Sequence, residues 1–102
     1  MFKLKANPTF VRAVVMRSLD GEECTLRLVM RHRRRTELKA FIEGLPGRPD
    51  EDVVADIVAG WEDVDTPFSA EALRELLEEW ACTPARVWEE YQAAYQEAAR
   101  KN

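Results

Sequence analysis

The residues able to do chemistry are few and badly spaced for it. His32 is the one histidine, and the two cysteines, Cys24 and Cys82, stand far apart with no CxxC spacing. A zinc site needs about four nitrogen or sulfur ligands at short, regular intervals, and a disulfide framework needs more cysteines than two. The carboxylate pairs Glu78/Glu79 and Glu89/Glu90 are sequence neighbours. Adjacent side chains on a helix diverge by about 100°, so such pairs cannot share a proton or flank one substrate atom. Glycines fall at 21, 44, 47 and 60 and form no phosphate-cradling loop. No serine or cysteine nucleophile can be matched to a base with any specificity. The expectation is a protein without catalytic, metal-ligating or cofactor-binding residues, and without a cofactor.

Two features point to binding instead. The run Arg31-His32-Arg33-Arg34-Arg35 offers four rigid guanidinium forks, which suit phosphate or carboxylate partners. Trp88, Tyr91 and Tyr95 fall on one expected helix, and large amphipathic rings are favoured at protein interfaces. Arg31, Arg33, Arg34, Arg35, Trp88, Tyr91 and Tyr95 are therefore the candidate partner-binding residues. A nucleic-acid partner for the arginines fits poorly with a pI near 5.1. The competing reading for the rings is the core, which a small domain builds from large side chains.

The elements that must position these residues follow from patterning. The chain has 102 residues, 46% of them hydrophobic and 33% charged, which suits one globular domain over 1–102. No stretch approaches the roughly 18 apolar residues of a membrane span, and residues 1–7 lack the apolar core of a secretory leader. A β-hairpin is expected over about 10–31, with Asp20-Gly21 as a two-residue type I′ turn. That turn faces Val15 to Leu26, Ala13 to Leu28 and Val11 to Met30 on one buried side, leaving Arg12, Val14, Arg27, Val29 and Arg31 on the wetter one.

Four helices are expected next, at about 37–45, 50–60, 70–80 and 84–100, capped by Thr36, Asp50, Ser69 and Thr83. Pro84 directly after Thr83 suits a first helical position. The fold class is α+β, an N-terminal hairpin packed on a small bundle of about four helices. Charge is unevenly divided: residues 1–48 hold 11 Lys/Arg against 5 Asp/Glu, a balance of +6, and residues 49–102 hold 4 against 14, a balance of −10. Either the halves fold against each other, or they offer opposite faces to partners, including weak homo-oligomers.

The middle of the chain carries a resemblance. Asp56-Ile57-Val58-Ala59-Gly60-Trp61, then Val64, then Pro67-Phe68-Ser69 opening the leucine-rich Ala70–Leu77, is similar to the tail assembly chaperones of long-tailed bacteriophages and prophages. The hairpin, the Thr36-Glu37-Leu38 helix start and the tyrosines of the last helix also fit, so the resemblance spans about 10–102. It implies a non-enzymatic assembly factor that works in the bacterial host cytoplasm and is absent from the mature virion. Its implied partner is the tape measure protein, kept soluble until the tail tube forms around it. A longer frameshift product would recruit tail tube protein, and Arg100-Lys101-Asn102 is compatible with a slippery heptamer. The family brings no catalytic or ligand residues to transfer. The alternatives are a generic small prophage interaction module or regulator, and, behind it, a nucleic-acid binder acting through Arg31–Arg35.

Overall fold

The computed structural model of the chain describes residues 1–100. Lys101 and Asn102, and with them most of the expected slippage site, lie outside the described residues. Seven elements follow in order: β1 (Thr9–Arg17), β2 (Glu23–Arg31), α1 (Arg35–Glu43), α2 (Asp50–Ile57), β3 (Val58–Glu62), α3 (Ala70–Glu79) and α4 (Thr83–Ala99). The α+β class and the hairpin-then-helices order are as expected, but the sheet has three antiparallel strands in the order β1-β2-β3.

The hairpin turn departs from the type I′ expectation. Ser18 N donates to Glu22 O at 2.9 Å and Gly21 N to Ser18 O at 3.0 Å, enclosing Leu19-Asp20-Gly21 as a three-residue loop. Gly21 takes φ +90, the left-handed position that closes such a loop at little cost only in glycine. The Ser18 hydroxyl bonds the Asp20 carboxylate and accepts from Glu22 N, pinning the turn from inside and holding Asp20 below its ordinary carboxylate pKa. One extra loop residue shifts the register by one. The pairs are Phe10↔Met30, Arg12↔Leu28, Val14↔Leu26 and Met16↔Cys24.

Half of the expected buried face is therefore reversed. Leu26, Leu28 and Met30 of β2 point inward as expected, but on β1 the inward residues are Phe10, Val14 and Met16. Val11 and Val15, expected in the core, are 41% and 43% exposed. Arg12, expected on the wet side, turns toward the helices at the edge of the sheet. Its guanidinium grips α4 through Glu90 at 2.9 Å and Glu97 at 2.5 Å. Those hydrogen bonds hold the Glu97 carboxyl below its usual range.

The second correction is β3. The expected helix over 50–60 stops at Ile57, and the chain passes into a strand without a linking residue. Val29 pairs with Gly60 and Met30 with Val58, so Ala59 is the extra residue of a bulge. Val58 and Trp61 suit a pleated, half-buried surface better than a helix, and β2 supplies a ladder for them.

Helix starts follow the expected chemistry with local shifts. Ser69 Oγ accepts from Ala72 N at 3.0 Å, as a cap should. α1 begins before Thr36: the Glu37 carboxylate accepts from Arg34 N at 2.7 Å, which is half a capping box, since arginine has no acceptor for the other half. Pro49, rather than Asp50, flanks α2. Thr83 lies inside α4, fully buried, its hydroxyl donating to Trp80 O at 2.6 Å. The helices cover one face of the sheet, and the core joins Val14, Met16, Leu28 and Met30 to Ile57, Val58, Val87 and Tyr91. α1 is the exception among the helices, for none of its residues is fully buried.

Candidate functional site

The arginine run and the tyrosines, read separately in the sequence, converge on one place. β2 ends at Arg31, beside the last turn of α2 and the middle of α4. Arg31 Nη1 donates to the carbonyls of Ala55 at 2.8 Å and Val58 at 3.0 Å, and Arg33 Nη2 donates to Asp56 O at 3.0 Å. The last carbonyls of a helix lack partners within it and carry the negative end of its dipole. α2 has no basic residue of its own in that turn. Two arginines from elsewhere in the chain supply its C-terminal cap.

The tyrosines complete the junction. Tyr91 OH donates to Arg31 O at 2.7 Å and accepts from Arg33 Nη1 at 3.1 Å. Tyr95 OH accepts from Arg33 N at 2.7 Å and lies 3.2 Å from Tyr91 OH. The Arg33 guanidinium sits over the Phe41 ring, 3.9 Å from its centroid, a cation–π contact that ties α1 to the same point. Burial pushes the Tyr91 phenol up to about 12, helped by its hydroxyl neighbour Tyr95 and opposed by Arg33. It stays protonated at any physiological pH and keeps donating.

The candidate binding residues thus divide. Tyr91 is fully buried and belongs to the core, against the interface reading for it. Arg31 commits Nη1, and Arg33 commits Nη1 and Nη2, to partners within the molecule, although Arg31 as a whole is exposed. Arg34 and Arg35 are exposed and make no ion pair among the described residues. Trp88 and Tyr95 are half-buried and each lines a surface groove.

One groove, of about 420 Å³, runs along the second half of α4. Phe10, Tyr95 and His32 form its wall, with the Phe10 and Tyr95 rings edge to face at 6.2 Å and His32 stacked on Tyr95 at 6.4 Å. Ala94 and Ala98 form its floor. A second groove, of about 330 Å³, lies where Leu45, Val53 and Pro84 meet Trp88. Phe10, Ala94 and Ala98 were not among the candidate binding residues, and His32 was read only as the lone histidine inside the arginine run. The signal was present in the i, i+4 spacing of the two alanines on the face that also carries Tyr91 and Tyr95.

A family model described as phage tail assembly chaperone matches residues 1–102, the whole chain. The chain belongs to the phage tail assembly chaperones. No curated protein and no solved structure matches it. In this chaperone the segment that carries the family resemblance, Asp56–Leu77, is the end of α2, the β3 strand, its following loop and most of α3. Trp61 is the hinge pin of that segment: its indole N–H donates to Thr66 O at 2.8 Å and its ring meets Phe68 edge to face at 5.0 Å. Trp61 therefore closes the loop onto the sheet, and does so from a strand rather than from the end of the helix expected over 50–60. Among the described residues no helix is long and apolar enough to cross a membrane.

Proposed function

We propose that this chaperone binds the tape measure protein and keeps it soluble while the tail tube assembles. The family match over the whole chain carries the reading, since a tail assembly role requires protein partners. The groove along α4 supports it. Small side chains at Ala94 and Ala98 let a second helix approach closely, and the Phe10, Tyr95 and His32 wall offers an apolar side to lie against. A long helical client presents such faces repeatedly. The protein is read as a non-enzymatic factor of the bacterial host cytoplasm, absent from the mature virion, with a longer frameshift product recruiting tail tube protein. The nucleic-acid reading loses two of its four arginines to the α2 cap.

Co-expression with the tape measure protein tests this. The soluble fraction of the tape measure protein should rise with the wild-type chain and fall back toward its level alone with Ala94→Arg/Ala98→Arg. Equal solubility with and without the wild-type chain would sink the reading.

A further inference from the structure

We infer that the segment ahead of β1 docks into an acidic aromatic groove on a second copy of this chain, joining subunits head to tail. Residues 1–8 are all exposed and precede β1, and the segment is tied to the hairpin at Pro8, whose carbonyl accepts from His32 N at 2.9 Å. Phe2 and Leu4 are 90% and 91% exposed, far more than the apolar residues of either strand. Phe2-Lys3-Leu4-Lys5-Ala6 alternates apolar and polar residues strictly, which gives one apolar edge and one cationic edge once the bend at Leu4-Lys5 is drawn out into an extended chain on docking. Lys3 and Lys5 make no ion pair among the described residues.

A complementary surface lies in the other half of the molecule. Trp61, Leu76 and Trp80 floor a groove of about 210 Å³ between the loop after β3 and α3, and Asp65, Glu75 and Glu79 rim it. None of these three carboxylates makes an ion pair among the described residues. An apolar floor with unpaired carboxylates along the rim matches an apolar edge flanked by unpaired lysines, whose flexible stems can reach back to that rim.

Position favours another copy as the donor. The segment leaves β1 at Thr9, the end away from the hairpin turn, whereas Glu79 and Trp80 also line the cleft beneath turn residues Leu19 and Asp20. An intramolecular fit would require the segment to double back along the sheet. Contact between two different surfaces does not close on itself as a two-fold dimer does, so it generates rings or filaments. The accepting groove is separate from the α4 groove, which Ala6 of the segment lines on its own molecule; the substitutions below leave Ala6 in place, so the inference stands or falls independently of the client reading.

Sedimentation velocity over a concentration series at low salt tests it. The wild-type chain of residues 1–102 should grow in mass with concentration. Phe2→Ala/Leu4→Ala should raise the apparent dissociation constant at least about tenfold, as expected for losing two buried apolar side chains. Lys3→Glu/Lys5→Glu and Glu75→Lys/Glu79→Lys should each weaken association, and an equimolar mixture of the two should restore heteromeric contact. All the substituted side chains except Leu4 and Phe2 are charged surface groups, and an unchanged thermal midpoint confirms that each variant is folded. Wild-type protein that is monomeric throughout, or association indifferent to these substitutions, overturns the inference. A tryptophan emission change that depends on Phe2 and Leu4 but not on concentration would place the segment on its own molecule and overturn it equally.

Discussion

At the scale of single residues, the arginine run shows how one composition feature can hold two different jobs. Arg31 and Arg33 serve the C-terminal end of α2 and the Tyr91 hydroxyl, while Arg34 and Arg35 remain on the surface. Arg33→Ala leaves the Asp56 carbonyl and the Tyr91 hydroxyl short of a partner and should cost roughly 1–3 kcal/mol in urea unfolding. Arg33→Lys should recover only part of that, because an ammonium cannot make the fork of planar contacts. Arg34→Ala should stay within about 0.5 kcal/mol of wild type. Equal losses at 33 and 34 would contradict the assignment. Tyr91 adds a pH test. Its phenol ionises near 10.0 when unfolded and near 12 when folded. The stability contributed by neutral Tyr91 is therefore intact below about pH 10 and is lost as pH rises toward 12. Tyr91→Phe should be less stable at neutral pH, and its stability should fall less steeply over that alkaline range.

At the scale of elements, the turn decides the hairpin. β1 is apolar on both faces over Val11–Met16 apart from Arg12, so alternation could not choose between registers, and the choice fell to loop length. Ser18-Leu19-Asp20-Gly21 has serine at the first position and glycine at the fourth, a type I pattern that outweighs the Asp-Gly pair read alone. β2 was legible because its other face carries Arg27 and Arg31. The register makes adjacent residues differ. Val14→Thr buries an unpaired hydroxyl and should cost about 1–3 kcal/mol, whereas Val15→Thr on the open face should change stability by less than about 0.5 kcal/mol. Leu28→Ala should cost about 2–5 kcal/mol. A costlier Val15→Thr would restore the other register. β3 was hidden because a short apolar run after a helix reads equally as more helix, and only the ladder on β2 resolves it. Trp61→Ala should lower the thermal midpoint by freeing the loop to Phe68, and Trp61→Phe should recover most of the loss while forgoing the bond to Thr66 O.

At the scale of the whole molecule, the charge division is partly settled within the chain. Arg12 with Glu90 and Glu97, Arg27 with Glu62, and Arg48 with Asp56 join the basic half to the acidic half. The more exposed pairs Arg27–Glu62 and Arg48–Asp56 are worth little individually and orient the halves more than they stabilise them, whereas the partly sheltered Arg12–Glu90 pair ties β1 to α4. Lys3, Lys5, Arg34 and Arg35 on one side, and Asp65, Glu75 and Glu79 on the other, remain for contacts between molecules. The convergence of the arginines and tyrosines was not legible in advance. It depends on β2 ending beside α2, and so on β3, the element that periodicity concealed. The binding residues inferred from type alone were sorted into core, cap and surface only by that topology.

The looseness of α1 has a consequence in time. A helix that fully buries none of its residues gives up little when it detaches, so it belongs to the part of the protein that opens without global unfolding. Its amide hydrogens should exchange with deuterium well before those of α4, whose Val87 and Tyr91 are buried in the centre. When α1 swings out, the Phe41 ring leaves Trp88 and Tyr91, and faces of those rings meet water for as long as the opening lasts. The protein then carries a transient sticky surface beside the permanent grooves, present in a small fraction of molecules at any instant. Exchange in α1 as slow as in α4 would mean that the helix is held more firmly than its burial implies.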